Sequence, residues 1–292
     1  MGHSPAAGVV ERIFARCEGN PFFAEELLAG GDGRDDRLPG SVREALLLRF
    51  ERLADVTREV LRVAAVVGRS VDYRLLSSVA GVVESELLLA LREATDHHIL
   101  VPSADGTSYV FRHALLREAI YEDTLVGERL RLHRMTAKTL EAHPELTGAN
   151  AAAELAYHWL AAGEERAALR TSLEAATEAA AMHAYDEATG HVKRALELWG
   201  RLAGPEEGLD VDRIDLLLEA SQLADYAGEA DTALALAEQA RAELDETVEP
   251  LRAASAERRI ARALMYGARA ADGVEHLAAA RRLVPKDPPS LE

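Results

Sequence analysis

Ala162-Gly163-Glu164 and Ala227-Gly228-Glu229 are two copies of one short connection, and helical patterning lies on both sides of each copy. A second match links Asp231–Ala237 to Asp272–Ala278 at an offset of 41 residues, with small side chains at matching positions. Small residues at fixed helical positions allow antiparallel helices to approach closely and to stack. The pattern predicts stacked helical hairpins over residues 136–292.

Stacked hairpins of this kind are typical of tetratricopeptide repeats, so we predict a superhelix of tetratricopeptide-like (TPR-like) repeats. The spacing drifts from the usual period of about 34 residues, which favours the general architecture over one strict repeat type. Pro285 ends the last helix. The predicted helices are Asn150–Ala161, Glu165–His183, Asp186–Trp199, Val211–Tyr226, Ala230–Leu244, Leu251–Tyr266 and Gly273–Leu283.

The preceding segment, residues 38–135, changes its periodicity part-way along. Asp72 is placed to cap a short helix that ends at Gly81, and another helical pattern covers Glu84–His97. The stretch Ile99–Phe111 then alternates as two strands do around a tight turn. Several small helices followed by a hairpin predict a winged-helix domain, so the predicted fold class is mainly α with one β-hairpin.

The charge of the chain is strongly acidic and unevenly placed. Its 292 residues include 33 Lys and Arg against 50 Asp and Glu, a net charge of −17. Residues 136–292 carry 16 basic and 29 acidic side chains, whereas residues 38–135 carry 13 and 14. Because an acidic surface repels nucleic-acid phosphates, we expect no direct DNA binding by this chain.

Location and redox state follow from what the sequence lacks. Cys17 is the only cysteine, which excludes an internal disulfide and a zinc site built from several cysteines. No apolar stretch approaches the roughly 20 residues of a membrane span, and the N-terminus has no signal-peptide pattern. We predict a cytoplasmic protein without a membrane partner. The chain begins shortly before a mid-domain helix and ends on Leu291-Glu292, so we expect a fragment of a longer protein.

Motifs that would carry catalysis are missing from the sequence. Lys138, Lys193 and Lys286 are its three lysines, and none follows a glycine, so the chain has no phosphate-binding P-loop. Nucleophile-elbow, His-Glu-x-x-His and EF-hand spacings are missing as well. We predict that this chain is not an enzyme, has no catalytic residues, and binds neither a metal nor a cofactor by itself.

The helix before the predicted hairpin is unsuited to DNA. In DNA-binding winged helices this helix enters the major groove, where carboxylates weaken binding. Here Arg92 is its one basic residue, and we expect Leu87, Leu88 and Leu91 to be buried. Its acidic residues are Glu84, Glu86, Glu93 and Asp96.

Two segments resemble a known family of regulators. Cys17–Leu27 contains Gly-Asn-Pro-Phe-Phe, and Tyr109–Tyr121 is followed by the basic stretch Glu128–Arg134. With Leu38-Pro39-x-Ser41 between them and helical repeats behind, the whole chain resembles large LuxR-type regulators. These belong to the signal-transducing (STAND) ATPases with maltose-regulator-like architecture. The resemblance implies that residues 1–37 are the end of an ATPase lid domain and a linker, before the winged helix and the repeats.

The resemblance also implies nucleotide contacts in the full-length protein, which would bind ATP or ADP. Gly19 and Asn20 would form a turn that places Pro21 against the adenine. His113, next to Arg112, would contact the β-phosphate of ADP from the start of a helix. The family's Met-His-Asp motif reads Arg-His-Ala here, so the aspartate that orients the histidine is replaced. The alternative for His113 is capping or packing beneath the hairpin.

Together these features predict the regulatory and sensor fragment of a nucleotide-switched transcriptional regulator. Its partners would be the missing ATPase domain and a small-molecule or protein inducer bound to the repeats. Two alternatives are a free-standing TPR-like interaction scaffold and the sensory half of a regulated cyclase or kinase. An upstream P-loop in the complete reading frame would favour the regulator over the scaffold. The downstream frame would distinguish a DNA-binding helix-turn-helix from an enzyme domain.

Overall fold

The computed structural model describes residues 40–204, 209, 211–266 and 269–284, and most of them are helical. Contacts divide the chain into two compact units, Met1–Thr147 and Gly148–Glu292. Within the described ranges, no helix has the length and apolar character needed to cross a membrane.

The described elements follow one another with short connections. The first unit contains α1 (Gly40–Phe50), α2 (Asp55–Val67), β1 (Ser70–Asp72), α3 (Tyr73–Ala80), α4 (Glu84–Asp96), β2 (Leu100–Pro102), β3 (Ser108–Phe111), α5 (Ala114–Asp123), α6 (Val126–Ala142) and a 3₁₀ turn (Pro144–Leu146). The second unit contains α7 (Ala151–Ala161), α8 (Glu165–Ala181), α9 (Tyr185–Trp199), α10 (Arg213–Tyr226), α11 (Ala230–Glu243), α12 (Pro250–Tyr266) and α13 (Ala270–Leu283).

The three strands form one antiparallel sheet in the order β1-β3-β2. Val101 on β2 lies opposite Val110 on β3, which confirms the hairpin predicted within Ile99–Phe111. On the other side of β3, Val71 lies opposite Tyr109. The sequence pattern does not predict β1, because a three-residue strand is too short to show alternation.

The ends of α3 are fixed by the residues that the sequence indicates. The Asp72 carboxylate accepts hydrogen bonds from the backbone N–H groups of Arg74, at 2.7 Å, and Leu75, at 3.4 Å. At the other end, Gly81 adopts a left-handed conformation with φ of 67°. Both predictions are confirmed, and both rest on local chemistry that needs no tertiary contact.

Large apolar side chains fill the core of the first unit. The helices α2, α3 and α4 turn their apolar faces inward, and Leu87 and Leu91 are buried as expected. Leu88 is 47% exposed, so its expected burial is wrong. One residue farther along a helix lies about 100° around the axis, which takes Leu88 off the buried face. The largest fully buried side chains are Phe50, Phe111, Leu61, Leu76, Leu87, Leu91, Ile99, Leu100, Leu115, Leu116, Ile120 and Leu132.

In the second unit, each of α7–α13 packs on the next helix, and α10 also contacts α12. The observed helices agree with the predicted ranges to within three residues at either end. Short corners join successive helices, and this geometry is compatible with a TPR-like superhelix.

Three of the corners share one backbone geometry. Gly163, His183 and Gly228 have φ values of 74°, 60° and 81°. In each corner the next residue donates its N–H to a carbonyl five residues back, as Glu229 does to Ala224 at 2.8 Å. This is the Schellman arrangement that ends a helix and favours glycine. The repeated Ala-Gly-Glu triplet therefore marks a real structural repeat.

Small residues lie at the contacts between helices, but the predicted register needs a correction. The fourth residue of the helix after a corner is buried in α9, α11 and α13: Ala188, Ala233 and Gly273. Val274, matched to Ala233 at an offset of 41, is instead 60% exposed. The helices α11 and α13 begin 40 residues apart, at Ala230 and Ala270. That start sets which face is buried, so the structural repeat is 40 residues here.

The predicted boundary between residues 135 and 136 falls inside α6, whereas the compact units divide after Thr147. The domain assignments themselves, including residues 1–37 as part of an ATPase domain, stay predictions.

Candidate functional site

Arg112 and His113 link the sheet to α5. The backbone N–H of Arg112 donates to the Ile99 carbonyl at 2.9 Å, which ties it to the start of the hairpin, while its side chain is exposed. His113 is the N-cap residue of α5, with extended backbone angles of −128° and 124°. The prediction that His113 starts a helix is confirmed.

The position of His113 leaves its side chain available for more than one role. Its ring makes no capping hydrogen bond to the first turn, although its backbone carbonyl accepts from the Leu116 N–H at 3.1 Å. The first N–H groups of a helix and its dipole favour an anion at this end. The surroundings therefore suit a phosphate, and the nucleotide contact of Arg112 and His113 stays a prediction.

The remaining predicted site residues, Gly19, Asn20 and Pro21, lie outside the described residues. Their turn and the adenine contact of Pro21 also stay predictions. The structure thus places Arg112 beside His113 and makes no statement about their relation to Pro21.

A buried polar cluster lies close along the chain to this helix start and is not indicated by any motif. The Tyr121 hydroxyl lies 3.0 Å from Nε2 of His133, which is fully buried. Arg129 donates to the Tyr121 carbonyl at 3.2 Å, and Arg117 donates to the Ala65 carbonyl at 2.9 Å. Burial, followed by the charges of Arg117 and Arg129, lowers the pKa of His133 to about 4. Packing, one of the two predicted roles for His133, is therefore what the structure gives it.

The exposed face of α4 carries acidic and apolar side chains. Glu84, Glu86 and Asp96 are exposed there beside Leu88 and Leu89. Carboxylates at this face oppose contact with a phosphate backbone. The face suits a protein surface better than a DNA groove.

Metal-binding clusters are missing from the part of the chain that the structure describes, since no three His, Cys, Asp or Glu side chains converge there. The adjacent pair His97-His98 lies at the end of α4, where His97 is the C-cap and His98 has a φ of 54°. This agrees with the prediction of a helix end.

A groove runs between α10, α12 and α13 in the second unit. It consists of two adjoining cavities of about 140 and 360 Å³ that share Arg258 and Arg262. The smaller cavity is lined by Gln222, Asp225, Tyr226, Arg258, Arg259 and Arg262, and the larger by Arg258, Arg262, Met265, Tyr266 and Leu277. We call this the arginine–tyrosine groove.

Arg262 lies at the centre of the groove. Its guanidinium lies 5.5 Å from the Tyr226 ring centre and 5.7 Å from the Tyr266 ring centre, and it pairs with Asp225 at 2.5 Å. Cation–π contacts with two rings hold the guanidinium in one orientation. Tyr185 continues the aromatic row, with its ring centre 5.1 Å from that of Tyr226.

Arg259 forms the floor of the groove. Its Nη2 donates to the side-chain oxygen of Gln222 at 2.8 Å, and Gln222 in turn donates to the Tyr226 hydroxyl at 2.9 Å. The Nε atom of Arg259 is buried and has no acceptor among the described residues. Burial, together with the charges of Arg258 and Arg262, lowers the pKa of Arg259.

Sequence reasoning does not find this groove, because its residues are spread over three helices and match no motif. One signal is present in hindsight. Tyr226 and Tyr266 are the last residues of α10 and α12 and lie 40 residues apart, which is the structural repeat. A repeated aromatic at a helix end, next to clustered arginines, is the pattern that would have indicated the site.

Comparisons with known proteins give one similar structure. No protein-family model matches the sequence, and no curated protein matches it. A crystal structure from Pyrococcus horikoshii, of a Signal Transduction ATPase with Numerous Domains (STAND) protein with a tetratricopeptide repeat sensor, is similar at 12% identity and a TM-score of 0.37. The match covers 95% of this chain and 45% of that one, so this chain spans less than half of that protein's length.

Proposed function

We propose that this chain is the regulatory and sensor region of a nucleotide-switched STAND-type transcriptional regulator. The second unit would receive a ligand or partner, and the first unit would pass that event to an ATPase domain. The observation that carries the proposal is the placement of Arg112 and His113 at the start of α5, directly after a small sheet.

The order of elements in the first unit supports its assignment as a winged-helix domain. The chain runs α2, β1, α3, α4, β2, β3, and the sheet order is β1-β3-β2. A helix, a strand, two helices and a hairpin in this order are the arrangement of a winged helix. The acidic exposed face of α4 supports a protein-contacting role for this domain over direct DNA reading.

The start of α5 supports a phosphate-sensing role. A histidine and an arginine at a helix N-terminus combine hydrogen-bond donors with the positive end of the helix dipole. ADP bound by an ATPase domain would present its β-phosphate to His113, and ATP with an inducer would release that contact. This chain would supply the sensor residues and would not hydrolyse ATP itself.

The second unit supports a receiving role because its helices expose a groove rich in arginine and tyrosine. Such residues are enriched at the energetic centres of binding surfaces. The scaffold hypothesis shares this feature, and only nucleotide dependence separates the two.

The test is ADP binding by the protein encoded by the complete gene, measured by calorimetry. We expect His113→Ala to weaken ADP binding by about tenfold or more, because it removes a charge-assisted donor to phosphate. His97→Ala, at the exposed end of α4, is the matched control and should leave ADP binding unchanged. Equal ADP affinity in both variants would contradict the role of His113. No ADP binding in the parent protein would favour the scaffold.

A further inference from the structure

We propose that the arginine–tyrosine groove binds an acidic segment of a partner protein, in which carboxylates flank a bulky apolar side chain. This inference rests on the proposed receiving role of the second unit and gives it a place and a class of ligand.

Charge is the first argument. Three guanidinium groups line the groove, and Asp225, already paired with Arg262, is the one acidic residue among the lining residues. Glu219, one turn earlier on α10, also attracts Arg259. Arg258 is exposed and makes no ion pair within the described ranges. The groove is thus a basic site in a region that has 29 acidic and 16 basic side chains over residues 136–292.

Unsatisfied hydrogen-bonding capacity is the second argument. The Nε donor of Arg259 is buried without an acceptor in the described part of the chain, which is costly for a charged group. Neighbouring Arg258 and Arg262 add like-charge repulsion. A carboxylate in the groove would offset both costs.

Exposed apolar surface is the third argument. Tyr266 is 73% exposed at the rim, and Met265 and Leu277 are half-exposed beside it. Tyrosine, arginine and methionine are enriched at protein interfaces. A free anion would satisfy the arginines and leave these three side chains in water, whereas a peptide with an apolar side chain would cover them.

Other classes of ligand fit less well. A nucleic acid would bring its phosphates to the arginines, but the surrounding carboxylates would repel the rest of its backbone. Small molecules are usually enclosed over most of their surface, and this groove is open at Tyr266. An extended acidic peptide matches both the opening and the charge.

The test begins with selection of peptides from a random library displayed on phage, using the full chain as bait. We expect the enriched peptides to carry Asp or Glu next to Phe, Trp or Leu. An enriched peptide is then labelled with fluorescein, and its Kd is measured by anisotropy. Arg258→Glu and Tyr266→Ser should each raise that Kd by about tenfold or more.

Arg201→Glu is the matched control, because it makes the same charge change at an exposed position outside the groove. It should change the Kd by less than about twofold. Failure to enrich any peptide, or enriched peptides whose Kd is insensitive to Arg258→Glu, would overturn the proposal. So would retention of a single-stranded DNA probe or citrate by a chain that enriches no peptide.

The outcome is separable from that of the proposed function. A peptide that binds in the groove but leaves ADP retention by the complete protein unchanged would uphold the groove and contradict the nucleotide switch. Loss of ADP binding in His113→Ala without any peptide binding would do the opposite.

Discussion

The two units of this chain bury different kinds of side chain. In the first unit, leucine, isoleucine and phenylalanine fill the space between helices and sheet, and the twelve largest fully buried side chains all belong to it. In the second unit, the helix contacts are formed largely by alanines, among them Ala188, Ala233, Ala237 and Ala240. The first core gains from apolar volume, whereas the second gains from close approach of helices.

Polar contacts differ between the units in the same way. In the second unit, Arg252 joins α12 to the start of α10 through Asp212 and Asp215, and Arg241 joins α11 to Glu257 on α12. These ion pairs link successive helices at their edges and raise the pKa of both arginines. Large side chains thus tolerate truncation poorly, and small side chains tolerate enlargement poorly.

Truncation of the first core should have the largest effect. Phe111 is fully buried at the end of β3, and Phe111→Ala would leave a cavity among side chains that cannot collapse fully into it. We expect a loss of about 3–5 kcal/mol in the free energy of unfolding. Urea unfolding followed by hydrogen exchange should show reduced protection in α2 and β3. A loss below about 1 kcal/mol would contradict the comparison.

Acid should destabilise the first unit through His133. The pKa of this buried histidine is lowered from 6.5 to about 4, so between these values the unfolded chain binds more protons than the folded chain. Its contribution is complete above pH 6.5 and falls by about 3 kcal/mol on going to pH 4. Urea unfolding measured across this range tests the slope.

The control for the acid effect is His133→Gln, which keeps a polar side chain near Tyr121 but does not titrate. Its stability should fall less steeply than that of the parent between pH 6.5 and pH 4. Equal slopes would show that another group carries the acid sensitivity of this unit.

Enlargement should affect the second unit at its alanine contacts. Ala237 is fully buried against Ile260 and Leu264, and Ala237→Trp should cost about 1–3 kcal/mol by overpacking. Ala235→Trp, two residues away on the exposed face of α11, is the matched control. Ala188→Trp should behave like Ala237→Trp. Thermal unfolding that does not distinguish Ala237→Trp from Ala235→Trp would contradict the close-approach model.

Loss of a helix cap should have the smallest effect. Asp72→Ala removes the hydrogen bonds to the first turn of α3 and should cost about 1 kcal/mol. Asp55→Ala, which removes an exposed ion pair with Arg58, should cost less than about 0.5 kcal/mol. If chemical denaturation gives the two variants equal stability, the Asp72 cap is not a determinant of α3.

The sequence by itself determined the local structure of this protein. The helices of both units, the β2–β3 hairpin, the Asp72 cap and the corners at Gly163 and Gly228 all follow from interactions among near neighbours in the chain. Periodicity, capping and turn preferences are short-range effects, so they can be deduced without knowledge of the fold.

Only the tertiary structure decided which positions meet across longer distances. Strand β1 exists because Ser70–Asp72 pairs with β3, and the 40-residue register follows from where α11 and α13 begin. The arginine–tyrosine groove needs the ends of α10 and α12 to be neighbours, although Tyr226 and Tyr266 are separated by a whole helical hairpin. Packing geometry sets such encounters, because contacts between distant residues leave no periodic signal along the chain.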